Sequence, residues 1–217
     1  MNRLFLKSYI IIFSAGSILL SCKEKKEEPT PVLEATIVSN LPADPELNPD
    51  GTPRKKTNQF TLFSFKENSI ISNADSASGK WDIGFRNSTL IINGGTSGPG
   101  SAEAQIINGI FEEIIEAPTT GYAKDNGGTY AIKGSNGWYT YTAEATSGPK
   151  HAILPIAGRI IVLKTANGNY VKLEILSYYK NSPNTATAEF ADLTKRSAAK
   201  YYTFRYIYQS NASTNLK

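Results

Sequence analysis

Two β-rich runs separated by one short turn limit what this chain can fold into. Arg159 to Thr165 reads RIIVLKT and Tyr170 to Tyr179 reads YVKLEILSYY, with Ala166-Asn167-Gly168-Asn169 between them. An Asn-Gly pair flanked by apolar runs suits a tight turn that needs positive φ. The segment therefore predicts an antiparallel hairpin with Thr165 to Asn169 as its loop. Similar short runs recur along the chain. Phe60, Leu62, Phe63 and Phe65 mark a strand, and others are expected at Thr89 to Asn93, Ala104 to Ile107, Trp138 to Thr142 and Tyr201 to Gln209. In Trp81-Asp82-Ile83-Gly84-Phe85-Arg86 the alternation places Trp81, Ile83 and Phe85 on one face, toward the core with Phe204 and Tyr206. Asp82 then points the other way, where Arg86 or a neighbouring strand is its expected partner.

Helical signals are weak. Asp192 to Lys200 is the one stretch with a helical period, and Ile110 to Glu116 reads equally as a helical turn or an irregular strand. With 12 Tyr, 9 Phe and recurrent β-branched residues, the chain is expected to be all-β, its antiparallel sheets packed as a single domain over residues 59–209. Residues 210–217 read as a C-terminal tail. The glycine-rich segment Asn93 to Gly100 lacks the following helix and Lys-Ser/Thr of a phosphate loop, and reads as a tight turn.

The first 21 residues carry a different message. Arg3 and Lys7 precede an apolar run, Tyr9 to Leu20, which is too short for a bilayer span and suits a signal peptide. Leu19-Leu20-Ser21-Cys22 resembles a bacterial lipobox, so Cys22 is the expected lipidated N-terminus of the processed chain. Two or three acyl chains would anchor it stably, where one holds only marginally. Residues 22–58 then read as a flexible tether: Lys23 to Pro31 is charged and proline-bearing, and Leu41-Pro42-Ala43-Asp44-Pro45 and Asn48-Pro49-Asp50-Gly51 are turn-rich. The acidic-basic cluster behind the cysteine resembles a surface-export signal, which implies outer-membrane anchoring with display at the cell surface.

Composition narrows the chemistry. Met1 leaves with the signal, so the processed chain has no methionine, one histidine (His151) and one cysteine that carries lipid. An intrachain disulfide and a Cys/His zinc site are both excluded. The formal charge of +4 includes Arg3 and Lys7; without them it is roughly +2, too little for a nucleic-acid face. No nucleophile elbow or acid pair with recognisable spacing is present, and the chain does not read as an enzyme. Glu112, Glu113 and Glu116 read as a solvated acidic face.

Several stretches in order resemble the HmuY family, the haem-binding surface lipoproteins of Bacteroidetes. They are FTLFSF (Phe60 to Phe65), WDIGFR (Trp81 to Arg86), NGGTSGPG (Asn93 to Gly100), RIIVLKTANG (Arg159 to Gly168), YVKLEILSYY (Tyr170 to Tyr179) and YTFRYIYQ (Tyr202 to Gln209). The resemblance implies packed antiparallel sheets with loops forming a haem cleft. It also implies haem as cofactor, iron acquisition as the role, and an outer-membrane TonB-dependent haem transporter as partner. The well-known haem-binding member holds iron between two histidines, and neither carries over. One falls near Ser147, and the stretch that should hold the other is shortened between Tyr122 and Trp138.

The candidate haem residues are therefore His151, with Lys150 beside it to meet a propionate, and Tyr139 and Tyr141 as phenolate alternatives. Two functions remain open at this point. One is a haem-capturing lipoprotein. The other is a family member without iron ligation, serving as a structural or other-ligand binding module.

Overall fold

The computed structural model describes residues 33–48 and 50–217. Their strands are β1 (Thr36–Pro42), β2 (Thr61–Ser64), β3 (Ser69–Ile71), β4 (Ile83–Arg86), β5 (Thr89–Ile92), β6 (Glu103–Asn108), β7 (Tyr139–Tyr141), β8 (Ile153–Pro155), β9 (Arg159–Lys164), β10 (Tyr170–Tyr179) and β11 (Ala199–Gln209). A 3-10 turn at Asn73–Asp75 and one four-residue helix, α1 (Ala188–Ala191), interrupt them. Every paired strand is antiparallel. A five-stranded sheet runs β1-β11-β10-β9-β6, a four-stranded sheet runs β3-β2-β4-β5, and β7-β8 form a separate hairpin.

The hairpin expected from the Asn-Gly signal is present. Tyr170 pairs with Lys164, and the Thr165 N–H donates to the Asn169 carbonyl at 2.8 Å, closing the loop. Gly168 adopts φ 79° there, which is why a glycine suits that position. Alternation along β9 explains its unbroken apolar run. Ile161 and Leu163 join the main core, whereas Ile160 and Val162 face a second cluster with Phe111, Ala117, Ile207 and Leu216. A strand covered on both faces has no solvent side on which to place polar residues. Lys172 of β10 is the exception on that second face. It is 2% exposed, donates from Nζ to the carbonyls of Phe111 and Ile114 at 2.8 Å each, and lies over the Phe111 ring.

The main core lies between the two larger sheets. Phe63 and Phe85 meet Phe204 of β11 at ring separations of 5.6 and 5.4 Å, the latter pair stacked at 11°. Tyr206 packs on Phe65 at 4.9 Å and donates its hydroxyl to the Phe65 carbonyl. Ile83 and Phe85 thus face the core with Phe204 and Tyr206 as expected. Trp81 does not share their face. It precedes β4, packs with Leu62 and Ile91 in a third cluster, and donates from Nε1 to the Ser76 carbonyl. The strand alternation begins only at Ile83, so counting back to residue 81 overextends it.

Three further boundaries differ from the sequence reading. Thr36–Pro42, assigned to the tether, is the edge strand β1 and pairs with β11, burying Leu41. Downstream, the Asp44 carboxylate accepts the N–H groups of Thr57 and Asn58, so this segment is tied to the domain. Turn residues hid a strand that bulges between Val38 and Leu41, where Asn40 takes φ 59°. Residues 210–217 are likewise part of the domain: Leu216 is fully buried and its N–H donates to the Ile115 carbonyl. Of the two alternatives for 110–116, the helical turn is present: the Ile114 N–H donates to the Ile110 carbonyl at 3.2 Å, and the turn buries Phe111. The helix lies just before Asp192, capped by the Thr187 hydroxyl, and the expected helical stretch from Asp192 is turn until β11 begins. The signal peptide, Cys22 and the start of the tether lie outside the described residues.

Candidate functional site

His151 sits in the loop between β7 and β8. This loop is built rather than open. The Thr142 hydroxyl donates to the Pro149 carbonyl at 2.6 Å and accepts the Ala152 N–H at 2.9 Å, and the His151 N–H reaches the Ala143 carbonyl at 2.8 Å. Arg196, following α1, clamps the far side by donating to the carbonyls of Lys150 and His151 at 2.9 and 3.2 Å. Its guanidinium also covers the Phe190 ring. These contacts hold His151 at φ 50°, a left-handed backbone that a non-glycine residue adopts only when its surroundings fix it.

The imidazole is 43% exposed, and both its nitrogens have partners. Nδ1 lies 2.8 Å from the Tyr141 hydroxyl, and Nε2 lies 2.6 Å from a Glu144 carboxylate oxygen. The other Glu144 oxygen is 3.4 Å from Lys150 Nζ. One carboxylate therefore holds both the histidine and the lysine singled out in the sequence. If Nε2 carries the proton toward Glu144, Nδ1 is free to accept from Tyr141; if both nitrogens are protonated, Tyr141 accepts.

Of the four sequence candidates, the structure brings three together: Glu144 joins His151 to Lys150, and Tyr141 bonds His151 directly. Tyr139 is placed elsewhere. Its ring packs on Trp138 at 4.6 Å and its hydroxyl donates to Ser88 at 3.3 Å, so it belongs to the base of the hairpin. Glu144 and Arg196 were not singled out by sequence reasoning. Glu144 carried one available signal, a carboxylate in the same short loop as the lone histidine. Arg196 carried none, because β10 and α1 intervene.

As donors to a haem iron, an imidazole and a neighbouring phenol fit in kind. Tyr141 is hydrogen-bonded to His151 Nδ1, so His151 would supply the nitrogen donor and Tyr141 would orient its ring instead of serving as a second donor. Among the described residues, no group of three or more His, Cys, Asp and Glu side chains is arranged to hold a bare metal ion.

Asp82 departs from its expected pairing. It is 6% exposed, and its Oδ2 accepts the Phe65 N–H at 2.9 Å. Arg86 turns instead to the Asn58 carbonyl and covers the Phe60 ring. Burial pushes the Asp82 carboxyl up to about 6, against the opposing effect of the Phe65 N–H. Asn93 opens the glycine-rich turn from a fully buried position. Its amide donates to the carbonyls of Ser78 and Trp81, and its oxygen accepts the Gly100 N–H. A Cβ at Gly98 would stand 2.4 Å from that oxygen, so the glycine there answers a close approach to Asn93.

The family that matches the chain is HmuY protein, over residues 56–191. The comparison with curated proteins finds no match. Among solved structures, the apo HmuY analogue of Tannerella forsythia is 12% identical with a TM-score of 0.44, over 83% of this chain and 97% of that one. Apo PinO of Porphyromonas gingivitis is 13% identical with a TM-score of 0.46, over 84% and 100%. A protein of Bacteroides vulgatus described as HmuY-like and heme-binding is 10% identical with a TM-score of 0.40, over 82% and 92%. The match over residues 56–191, and not these distant likenesses, carries the assignment.

Proposed function

The chain belongs to the HmuY family, and from that premise we propose that it is a surface lipoprotein that binds haem through His151 and delivers it to an outer-membrane transporter. The observation that carries this reading is the position of the chain's single imidazole. It is half-exposed at the tip of a clamped hairpin, with a lysine beside it and a phenol on its inner nitrogen. Bound haem would supply an iron that takes one nitrogen lone pair and two propionates that take cationic partners.

The residues of this chain do the rest. Nε2 is the outer nitrogen, and it must part from Glu144 and hold no proton. The proton then resides on Nδ1, and Tyr141 switches from donor to acceptor, fixing the ring and its tautomer. Release of Glu144 also frees Lys150 for a propionate. The lipid at Cys22 would keep the domain at the outer membrane, where a TonB-dependent transporter is the expected recipient. Such a role is binding and handover, with no catalytic step.

A second reading is favoured by one specific observation: both ring nitrogens are already engaged, Nε2 by a short contact to Glu144. On that reading the chain is a HmuY-like surface module without iron ligation, with a structural role or another ligand. Parallel titrations with ferric haem and iron-free protoporphyrin separate the two. Ligation through His151 predicts a shifted Soret band with haem and much weaker binding of the porphyrin. Equal binding of both, or of neither, overturns it.

A further inference from the structure

A second site shares no residue with the β7-β8 loop, and no part of the haem reading uses it. Asp82 stands at the base of a cavity of about 370 Å³ whose wall includes Ser64, Lys66, Lys80, Asn167 and Tyr208. These residues come from β2 and its following turn, the approach to β4, the β9-β10 loop and β11. The cavity falls within the size range of small-molecule sites. Asp82 is buried, yet only its Oδ2 has a hydrogen bond; among the described residues no donor reaches Oδ1. Oδ1 therefore opens to solvent in the cleft, and a largely buried carboxylate that presents one free oxygen there is a candidate binding group.

The charges around it select the ligand. A simple cation entering would meet the ammonium groups of Lys66 and Lys80. A simple anion would meet Asp82 and Glu67, which also lines the cleft. Both lysines already have carboxylate partners, Lys66 with Glu67 at 3.3 Å and Lys80 with Asp75 at 2.9 Å. What the wall offers is a mixture: an acceptor in Asp82 Oδ1, donors in the lysines, both in the Asn167 amide, and apolar surface on Tyr208. A hydroxyl both donates and accepts. We propose that this cleft binds a neutral polyhydroxylated ligand of monosaccharide size, with Asp82 Oδ1 accepting from its hydroxyls and the Tyr208 ring lying against its carbon skeleton.

The test is an amide chemical-shift titration of the purified, isotope-labelled chain at about pH 7.5, where Asp82 is ionised. The probes are the methyl glycosides of glucose, galactose and mannose, with methylammonium and inorganic phosphate as charged controls. At least one glycoside should shift the amides of Phe65, Asp82 and Asn167 saturably, with a Kd in the millimolar range. Asp82→Asn should weaken that binding tenfold or more. Asn167→Ala, on an exposed loop, should weaken it severalfold without moving the melting temperature. The proposal is overturned if no glycoside shifts these amides, if only a charged control does, or if both variants bind as the wild type does.

Discussion

Replacing Asp82 by Asn gives a stability change whose sign and pH window follow from the structure. The carboxyl is 6% exposed, and burial moves it from its ordinary 3.8 to about 6. A raised carboxyl means that the folded state favours the protonated form. The associated stability is fully present below the unfolded value, 3.8, and is lost as pH rises through about 6. A shift of about two units corresponds to about 3 kcal/mol. Asparagine keeps the shape and an oxygen for the Phe65 N–H but does not titrate.

The stability of Asp82→Asn relative to wild type should therefore climb by about 3 kcal/mol between pH 4 and pH 8. For a domain of this size that is a relative gain of roughly 6 to 12 °C in melting temperature. Thermal melts of both proteins across this range, followed by circular dichroism, give the difference at each pH. Any fixed cost of the asparagine cancels in the trend. Melting curves that stay parallel from pH 4 to pH 8 would refute the burial argument for Asp82.

Phe85→Ala removes a fully buried ring stacked on Phe204 and should cost about 3–5 kcal/mol; an unmoved melt would mean that the ring is not packed as described. A chain beginning at Gln59 loses β1 and buried Leu41, and should melt well below one beginning at Leu33; equal melts would return this segment to the tether. Growth with labelled palmitate should tag the wild type and not Cys22→Ala, and equal labelling would remove the lipid anchor.

The strands were legible where two local signals agreed. The Asn-Gly loop and its flanking apolar runs gave the β9-β10 hairpin to within a residue, because local turn chemistry and strand propensity pointed the same way there. Strand β1 was hidden because Asn40 bulges it and prolines crowd its end, and its burial depends on β11, more than 150 residues away. Trp81 was misplaced because a period-two reading cannot show where pairing starts. At the site, His151 was visible by its rarity and Lys150 and Tyr141 by proximity. Their union depends on the loop's left-handed backbone and on the Arg196 clamp. Neither leaves a mark in the spacing of the residues. Asp82 looked like an ordinary strand charge, and only the third dimension shows that its neighbours are backbone and cavity.

The most direct test of the haem reading is the visible absorption spectrum of ferric haem mixed with the wild-type chain and with His151→Ala. The wild type should give a shifted Soret band with single-histidine character, since one chain holds one imidazole. His151→Ala should lose that band while melting as the wild type does, because the side chain stands on a surface loop and not in the core. A wild type that leaves the free-haem spectrum unchanged, or a His151→Ala spectrum identical to the wild type, would contradict ligation by His151.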